Sequence, residues 1–166
     1  MKAGWLIGGV VIALLILGWS AWGDVHGWLV DNNAARPASA NGYGRATVTF
    51  AQVAVTAEIP LTETLQHQGL AGRTHLGERS GMLFHYATPD RYSFWMKGMK
   101  IALDFIWIVD NQINTITADV QPPAPGQLTI PVYRADQPVT DILEVRAGFA
   151  AEHGLKVGDV VEIQRR

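Results

Sequence analysis

Apolar residues recur mainly at every second position from Arg45 to the end of the chain. Successive side chains of a β-strand point to opposite faces, so this period is typical of strands that pack one face against a core. The pattern predicts strands in Val48–Ile59, Gly81–Tyr86, Tyr92–Lys97, Leu103–Val109, Gln112–Val120, Ile142–Arg146 and Asp159–Ile163. Their spacing predicts a mostly β (α+β) fold, a small rolled sheet or barrel with one or two short helices.

Two segments between the predicted strands have the features of short helices. In Pro60–Leu70, Thr62 is a candidate N-cap and Gly69 a candidate terminator. The second helix is predicted in Ala147–His153, just before the last strand. Both are too short to form the helical layers of a parallel α/β fold.

Turn residues separate several of the strands. The apolar positions of Val48–Ile59 change parity near Ala51-Gln52, which indicates either two short strands or one strand with a bulge. Asp110-Asn111 predicts a tight turn between two strands, because both residue types tolerate a left-handed backbone. The three prolines of Pro122–Gly126 predict an irregular loop, since proline cannot donate a ladder hydrogen bond.

The N-terminal segment has the length and composition of a membrane span. The 21 residues Ala3–Gly23 carry no charge, and a helix of that length spans about 31 Å, close to the roughly 30 Å hydrocarbon core of a bilayer. Lys2 precedes the segment and Asp24 follows it, which places the N-terminus in the cytoplasm and the remainder outside. Tryptophans stand at the two ends of its apolar centre, Leu6–Leu17, as an interfacial belt would, at Trp5 on one side and Trp19, Trp22 and Trp28 on the other.

A cleaved signal peptide is the alternative to this anchor, and both interpretations export the rest of the chain. We favour the uncleaved anchor, because the apolar run exceeds a usual signal-peptide core and tryptophans crowd the small-residue sites where cleavage would occur. The predicted organisation is a transmembrane anchor at 1–23, a flexible linker of small and polar residues at 24–44, and a β-rich domain at 45–166. The predicted location is the cell membrane, with a single pass and an extracytoplasmic domain, or a secreted protein if the segment is cleaved.

Charge and cysteine content exclude several classes of function. The net charge is −2 and no run of Lys or Arg exceeds the terminal pair Arg165-Arg166, so nucleic acid is not an expected partner. The absence of cysteine excludes disulfides, zinc-cysteine sites, iron–sulfur clusters and a thiol nucleophile. No phosphate loop, dinucleotide fingerprint or known hydrolase motif occurs, and we expect no cofactor.

A series of short motifs carries a resemblance to a known family. In chain order they are Gly69-Leu70-Ala71-Gly72-Arg73 with Leu76, Gly81-Met82-Leu83-Phe84, Phe94-Trp95-Met96-Lys97, Ile101-Ala102-Leu103-Asp104, and Leu143-Glu144 with Ala147-Gly148. Their order and spacing resemble the domain of unknown function 192 family over residues 48–164. The resemblance implies a small, mostly β, often exported domain whose biochemical activity is not established.

The chain departs from the family pattern at three places. Gly98-Met99 stands where Asn-Thr is usual, Ala102 where proline is usual, and Ala71 where methionine is usual. If that polar pair binds a ligand elsewhere in the family, the departure implies altered or lost binding in this member.

Trp95 and Lys97 are the first candidate site residues. Alternation in Tyr92–Lys97 places them together with Ser93 on one face, opposite Phe94 and its neighbours. An indole beside an ammonium can stack on and pair with a sugar- or carboxylate-like ligand. The structural alternative is that Trp95 packs under a loop while Lys97 extends into solvent.

Asp104 and Glu144 are acids inside apolar strands, and a buried carboxylate requires partners. For Asp104 the candidate partners include Arg73, neighbouring lysines and backbone amides, so a structural ion pair or a turn cap competes with a ligand-binding role. Arg73, Trp95, Lys97, Asp104 and Glu144 together form the predicted ligand-binding set.

Three further functions remain open. Asp104 and Glu144 could serve as the acid pair of a hydrolase if they converge. Met82, Met96 and Met99 with His85 are soft donors suited to Cu(I), although their parities favour a core role, so we predict no metal site. The third alternative is a purely structural envelope interaction module. We favour binding of a small polar ligand or an envelope protein over catalysis.

Overall fold

Residues 41–166 are described by a computed structural model of the chain. The predicted anchor at 1–23 and residues 24–40 of the predicted linker lie outside the described residues. The first strand starts at Tyr43, two residues before the predicted start of the domain at Arg45. Within residues 41–166, no helix is long and apolar enough to cross a membrane.

The described residues form nine strands and two short helices. They are β1 (Tyr43–Phe50), β2 (Val53–Pro60), α1 (Glu63–Gln68), β3 (Ser80–Asp90), β4 (Phe94–Trp95), β5 (Leu103–Val109), β6 (Gln112–Val120), β7 (Val132–Tyr133), β8 (Val139–Arg146), α2 (Phe149–Glu152) and β9 (Glu162–Arg165). The mostly β prediction with two short helices is therefore confirmed.

Seven of the strands form one sheet in the order β6-β5-β8-β3-β2-β1-β9, and β4 and β7 form a separate pair. Neighbouring strands of the described sheet are antiparallel except β2 and β3, which are parallel. A parallel pair needs a crossover connection, and residues 61–79 with α1 provide it. This crossover places α1 and the chain after it beside the sheet, where the candidate site lies.

The expected barrel is wrong, because the sheet is open. Its edge strands are β6 and β9, and near this opening the described chain has a single isolated bridge, Gln112 to Val160. A barrel requires a continuous ladder between its first and last strands. β9 is only four residues long and pairs with β1 over Ala46–Thr49, so it cannot also close the sheet along the nine residues of β6.

Side chains pack on both faces of the sheet. In β5, Leu103, Phe105 and Trp107 contribute to one buried cluster, while Ile106 and Ile108 contribute to the other. Alternation along the strand divides them between the two faces. We call the side of Phe105 and Trp107 the aromatic face of the sheet. On it, Phe94 lies edge-on to both rings, with ring centroids 6.0 and 5.6 Å away.

Local features agree closely with the sequence predictions. Thr62 caps α1 by accepting a hydrogen bond from the Leu65 amide (3.3 Å), and the helix ends at Gly69, whose φ is 51°. β1 and β2 are separated at 51–52, as the parity change predicted. Asp110 and Asn111 have φ of 50° and 57°, the signature of a type I′ hairpin turn. Within the predicted strand Tyr92–Lys97, however, only Phe94–Trp95 pairs with another strand.

Candidate functional site

β4 brings Trp95 and Lys97 to the surface. Phe94 and Met96 are buried in the aromatic-face cluster, whereas Ser93, Trp95 and Lys97 are exposed. The predicted division of this segment into two faces is therefore confirmed, although the paired strand is only two residues long. Burial of Phe94 and Met96 determines the outward direction of the polar face.

α1 forms the opposite side of the site. Its residues Gln66, His67 and Gln68 line the same cavity as Trp95 and Lys97. The His67 and Trp95 rings are nearly parallel, with an interplanar angle of 18° and ring centroids 6.2 Å apart. The helix has no buried residue, and Gln66 Nε2 ties it to the end of β2 by donating to the Pro60 carbonyl oxygen (3.4 Å).

Gly69 brings the end of α1 close to the sheet. A Cβ atom at this position would lie 3.6 Å from Cζ of Phe84 and 4.0 Å from Oε2 of Glu144. Its positive φ of 51° is a conformation that side-chain-bearing residues rarely adopt. The tight turn therefore carries the chain directly over Glu144.

Glu144 contributes to the lining of this cavity from β8. It pairs with Met82 of β3 and Phe105 of β5, so its side chain lies on the aromatic face. The residue is 5% exposed, and its Oε2 has no hydrogen-bond partner within the described part of the chain. Burial raises the pKa of Glu144 from 4.5 to about 8, with the nearby Arg73 guanidinium opposing the change. At neutral pH Glu144 is therefore mostly an uncharged carboxylic acid.

We call this cavity the Glu144 pocket. Its volume is about 130 Å³, the space of about four water molecules in the liquid. It is therefore large enough for one small polar group and too small to enclose a drug-sized molecule. Its lining residues are Gln66, His67, Gln68, Gly69, Leu70, Phe84, Tyr86, Ser93, Phe94, Trp95, Lys97, Met99 and Glu144.

Arg73 lies near this pocket without lining it. Its Nη1 and Nη2 donate to the two carboxylate oxygens of Glu58, at 3.1 and 2.6 Å. This hydrogen-bonded pairing with Glu58 is the main cause that raises the pKa of Arg73. Arg73 therefore acts on Glu144 through its charge, while its donors toward Glu58 are already used.

Asp104 lies on the other face of the sheet. It pairs with Val145, which places its side chain opposite to that of Glu144. The carboxylate is fully buried and accepts three backbone hydrogen bonds, from Asp119 (2.8 Å), Gly148 (3.2 Å) and Ala150 (2.9 Å). Asp104 therefore acts as a cap that joins β5 to β6 and to the start of α2, the structural alternative weighed for it.

The hydrolase alternative requires Asp104 and Glu144 to converge on one substrate, and they do not. Glycoside hydrolysis requires two carboxyl groups that face one substrate across about 5 to 9.5 Å. Asp104 and Glu144 point to opposite sides of the sheet, and the Asp104 oxygens already accept backbone hydrogen bonds. They cannot form an acid pair. Of the five predicted residues, the pocket combines Trp95, Lys97 and Glu144, with Arg73 beside them.

Two of the three methionines considered for Cu(I) lie in the core, and the third, Met99, lines the Glu144 pocket. Met82 and Met96 are fully buried in the aromatic-face cluster. His85 instead lies beside Asp141 and Arg165, with 2.9 Å between its Nδ1 and Oδ1 of Asp141. The soft-donor set considered for Cu(I) is therefore not assembled. Residues 41–166 also contain no cluster of three or more His, Asp or Glu suited to a metal ion.

Sequence reasoning missed the α1 side of the pocket. None of Gln66, His67 and Gln68 is among the five predicted site residues. The signal that could have found them is the polar run Gln66-His67-Gln68 just before the Gly69 terminator. Alternation had placed Ser93 on the face of Trp95 and Lys97, whereas Tyr86, in the middle of β3, gives no such signal.

The motifs and the fold agree with one family. The family model DUF192, described as an uncharacterised ACR, matches residues 46–163. The chain belongs to the DUF192 family. Its motifs supply both sides of the pocket, because the Gly69–Arg73 motif follows α1 and the Phe94–Lys97 motif contains β4. None of the curated proteins matches the sequence significantly.

Two solved structures are similar to this DUF192 domain. One, from Sinorhizobium meliloti 1021, is described as a candidate transcription regulator; it is 27% identical, with a TM-score of 0.63, and the match covers 72% of this chain and 92% of that chain. The other, from Novosphingobium aromaticivorans DSM 12444, is described as a protein of unknown function; it is 32% identical, with a TM-score of 0.62 and coverage of 80% and 94%. The matched fold makes up nearly all of both of those chains.

Proposed function

We propose that this DUF192 domain binds a small polar ligand, sugar- or carboxylate-like, in the Glu144 pocket. The observation that carries the proposal is Oε2 of Glu144, a buried polar atom that has no hydrogen-bond partner among residues 41–166 and lies beside a cavity lined with polar groups. Buried polar groups in native proteins nearly always have a hydrogen-bond partner. A ligand group in the pocket would supply the one that Glu144 lacks.

The protonation state of Glu144 determines which ligand groups suit it. A neutral carboxylic acid both donates and accepts a hydrogen bond, so it can pair with a hydroxyl, a carbonyl or a carboxylate. Lys97 provides a positive charge on the same lining. The pocket as a whole therefore favours a neutral or singly negative ligand over a cationic one.

The proposal is tested on a protein comprising residues 41–166 with envelope sugars, peptidoglycan fragments and small carboxylates. Binding is followed by thermal shift and by NMR shifts of the Trp95 indole N–H. A ligand that fills the pocket raises the melting temperature by mass action. We expect Glu144→Leu to weaken binding at least tenfold, because Leu cannot pair with the ligand, and Glu144→Gln to retain most of it. A well-folded domain that binds none of these compounds would refute the proposal and favour an interaction module with a protein partner.

The pH dependence of binding gives a second readout. Above the Glu144 pKa of about 8, ionisation removes the O–H donor, so affinity for an anionic ligand falls by up to tenfold per pH unit. Glu144→Gln is the matched control, because it keeps a donor at every pH and leaves all other pocket groups unchanged. Parallel pH profiles for the two proteins would contradict a role for the Glu144 proton.

We also propose that the domain is held at the membrane by residues 1–23 and lies outside the cytoplasm. The support is the uncharged run Ala3–Gly23 with its flanking tryptophans. A C-terminal alkaline phosphatase fusion is active only when exported, so we expect activity in membrane fractions. The mass of the mature chain then distinguishes an uncleaved anchor from a removed signal peptide. An inactive fusion that remains in the cytosol would contradict export.

A further inference from the structure

The Glu144 pocket combines two kinds of recognition surface that a single ligand can use. Trp95 is 40% exposed, and its cross-strand neighbour Val132 is 53% exposed. Trp95 lines the cavity, where its indole lies nearly parallel to the His67 ring, and Val132 adds an exposed apolar side chain on the paired strand. Such an apolar surface suits a flat, weakly polar ring face rather than a fully charged group.

The polar lining has the hydrogen-bonding pattern of a polyol. Gln68 and the protonated Glu144 each carry both donor and acceptor capacity. Gln66 and Ser93 keep part of theirs, because Gln66 Nε2 already donates to the Pro60 carbonyl and Ser93 Oγ already accepts from Arg134 Nε. Groups that do both are suited to hydroxyls, which also donate and accept. A ligand with acceptors alone would use only half of this capacity.

The positive charge of Lys97 on the lining favours a ligand that carries a negative group. Lys97 is a fixed cation on the lining, and Glu144 does not neutralise it while protonated. Arg73 adds no unpaired positive charge beside it, because its guanidinium is paired with Glu58. One negative group on the ligand would therefore complement Lys97.

The size of the cavity limits how much of the ligand enters it. A volume of about 130 Å³ is well below the roughly 300 Å³ of the smallest sites that enclose a whole ligand, so part of the ligand lies outside the cavity, against the exposed Trp95. This arrangement is compatible with a free monosaccharide and with one residue of a longer chain.

We propose that the ligand is an acidic saccharide whose ring lies on Trp95, whose carboxylate pairs with Lys97 and whose hydroxyl meets Glu144. This inference rests on the proposed function and makes it specific, because a neutral sugar lacks the carboxylate and a simple acid lacks the ring. The same chemistry occurs in a free uronic acid and in an acidic polysaccharide, so the test includes both.

The test compares four probes on residues 41–166 by calorimetric titration at constant ionic strength: glucuronate, glucose, acetate and an oligogalacturonate. We expect glucuronate to bind at least tenfold more tightly than glucose or acetate. Oligogalacturonate binding more tightly than glucuronate would identify a polymer as the preferred source. Equal affinities for oligogalacturonate and glucuronate would show that one acidic sugar residue is sufficient for binding.

Two substitutions test the contacts of Trp95 and Lys97 with the ligand separately. Trp95→Leu is expected to reduce the affinity for glucuronate to that for acetate without changing acetate binding. Lys97→Met is expected to reduce it to the affinity for glucose without changing glucose binding. Leu128→Ala and Lys100→Met are the matched controls, because both residues are exposed and neither lines the pocket.

The outcomes distinguish the inference from the proposed function. Acetate or glucose that binds as tightly as glucuronate, with shifts at the Trp95 indole, would overturn the acidic saccharide and leave a small-ligand pocket in place. Glucuronate binding that survives both variants would also overturn it. If none of the four probes shifts the indole signal while the spectrum remains that of a folded domain, the acidic saccharide is overturned. If the broader panel also fails, the proposed function is overturned with it.

Discussion

Replacing Glu144 by glutamine should stabilise the domain and make its free energy of unfolding less dependent on pH. In the folded state burial holds the pKa of Glu144 at about 8, compared with 4.5 for an ordinary glutamate. Between these two values the unfolded chain has lost a proton that the folded chain still binds. The free energy of unfolding therefore falls as the pH rises through this window.

The magnitude follows from the width of the window. Each pH unit corresponds to about 1.4 kcal/mol, so the interval from 4.5 to about 8 corresponds to at most about 5 kcal/mol. Water entry and relaxation around the carboxylate reduce such costs, so we expect about 2 to 5 kcal/mol. Glu144→Gln has no proton to release. The free energy of unfolding of Glu144→Gln should exceed that of the native domain by near zero at pH 4.5 and by this full amount at pH 8 and above.

Urea unfolding from pH 4.5 to 9, followed by the fluorescence of the buried Trp107, measures the difference directly. Glu78→Gln is the matched control, because Glu78 is exposed and its substitution should leave the pH profile unchanged. Native and Glu144→Gln profiles that run parallel across the window would refute the reasoning, since Glu144 would then ionise at the same pH whether folded or unfolded.

Three other substitutions test the structural assignments. Asp104→Asn should destabilise the domain by about 2 to 4 kcal/mol in urea unfolding, because the amide cannot accept all three backbone hydrogen bonds that the carboxylate accepts; a loss below 0.5 kcal/mol would contradict the cap. Thr62→Ala should cost about 1 kcal/mol and speed hydrogen exchange in α1, because the Leu65 amide loses its acceptor. Asn111→Val should lower the free energy of unfolding by about 1 to 2 kcal/mol, because φ at this position of the β5–β6 turn is 57°. Asn111→Gly should leave it unchanged, and equal effects of the two substitutions would exclude backbone strain as the cause.

Most local features of the fold were predictable, because near neighbours in the chain determine them. The apolar stretch Leu103–Val109, interrupted only by Asp104, predicted β5 with its exact bounds, since so short an apolar segment between turn residues has few other solutions. Asp110-Asn111 predicted the following turn through its tolerance of positive φ. Thr62 and Gly69 predicted the start and end of α1 through capping.

The candidate site was predictable only in part. Trp95, Lys97 and Glu144 were predicted from residue type and parity, and the fold brings them to one pocket. The role of Asp104 was not predictable, because the sequence identifies a buried acid without identifying its partners. Those partners are the amides of Asp119, Gly148 and Ala150, which lie 15, 44 and 46 residues away along the chain.

Strand identity, turn chemistry and helix caps were thus decided within a few residues of chain, where steric and hydrogen-bonding preferences act directly. The open sheet, the parallel β2–β3 pair and the position of α1 over Glu144 depended on the order and register in which distant strands pair. Register also separated the two acids, since Glu144 opposite Phe105 and Asp104 opposite Val145 necessarily face opposite sides. Side-chain direction changes with every single-residue shift of register, so only the assembled sheet determined which of these acids lines a pocket.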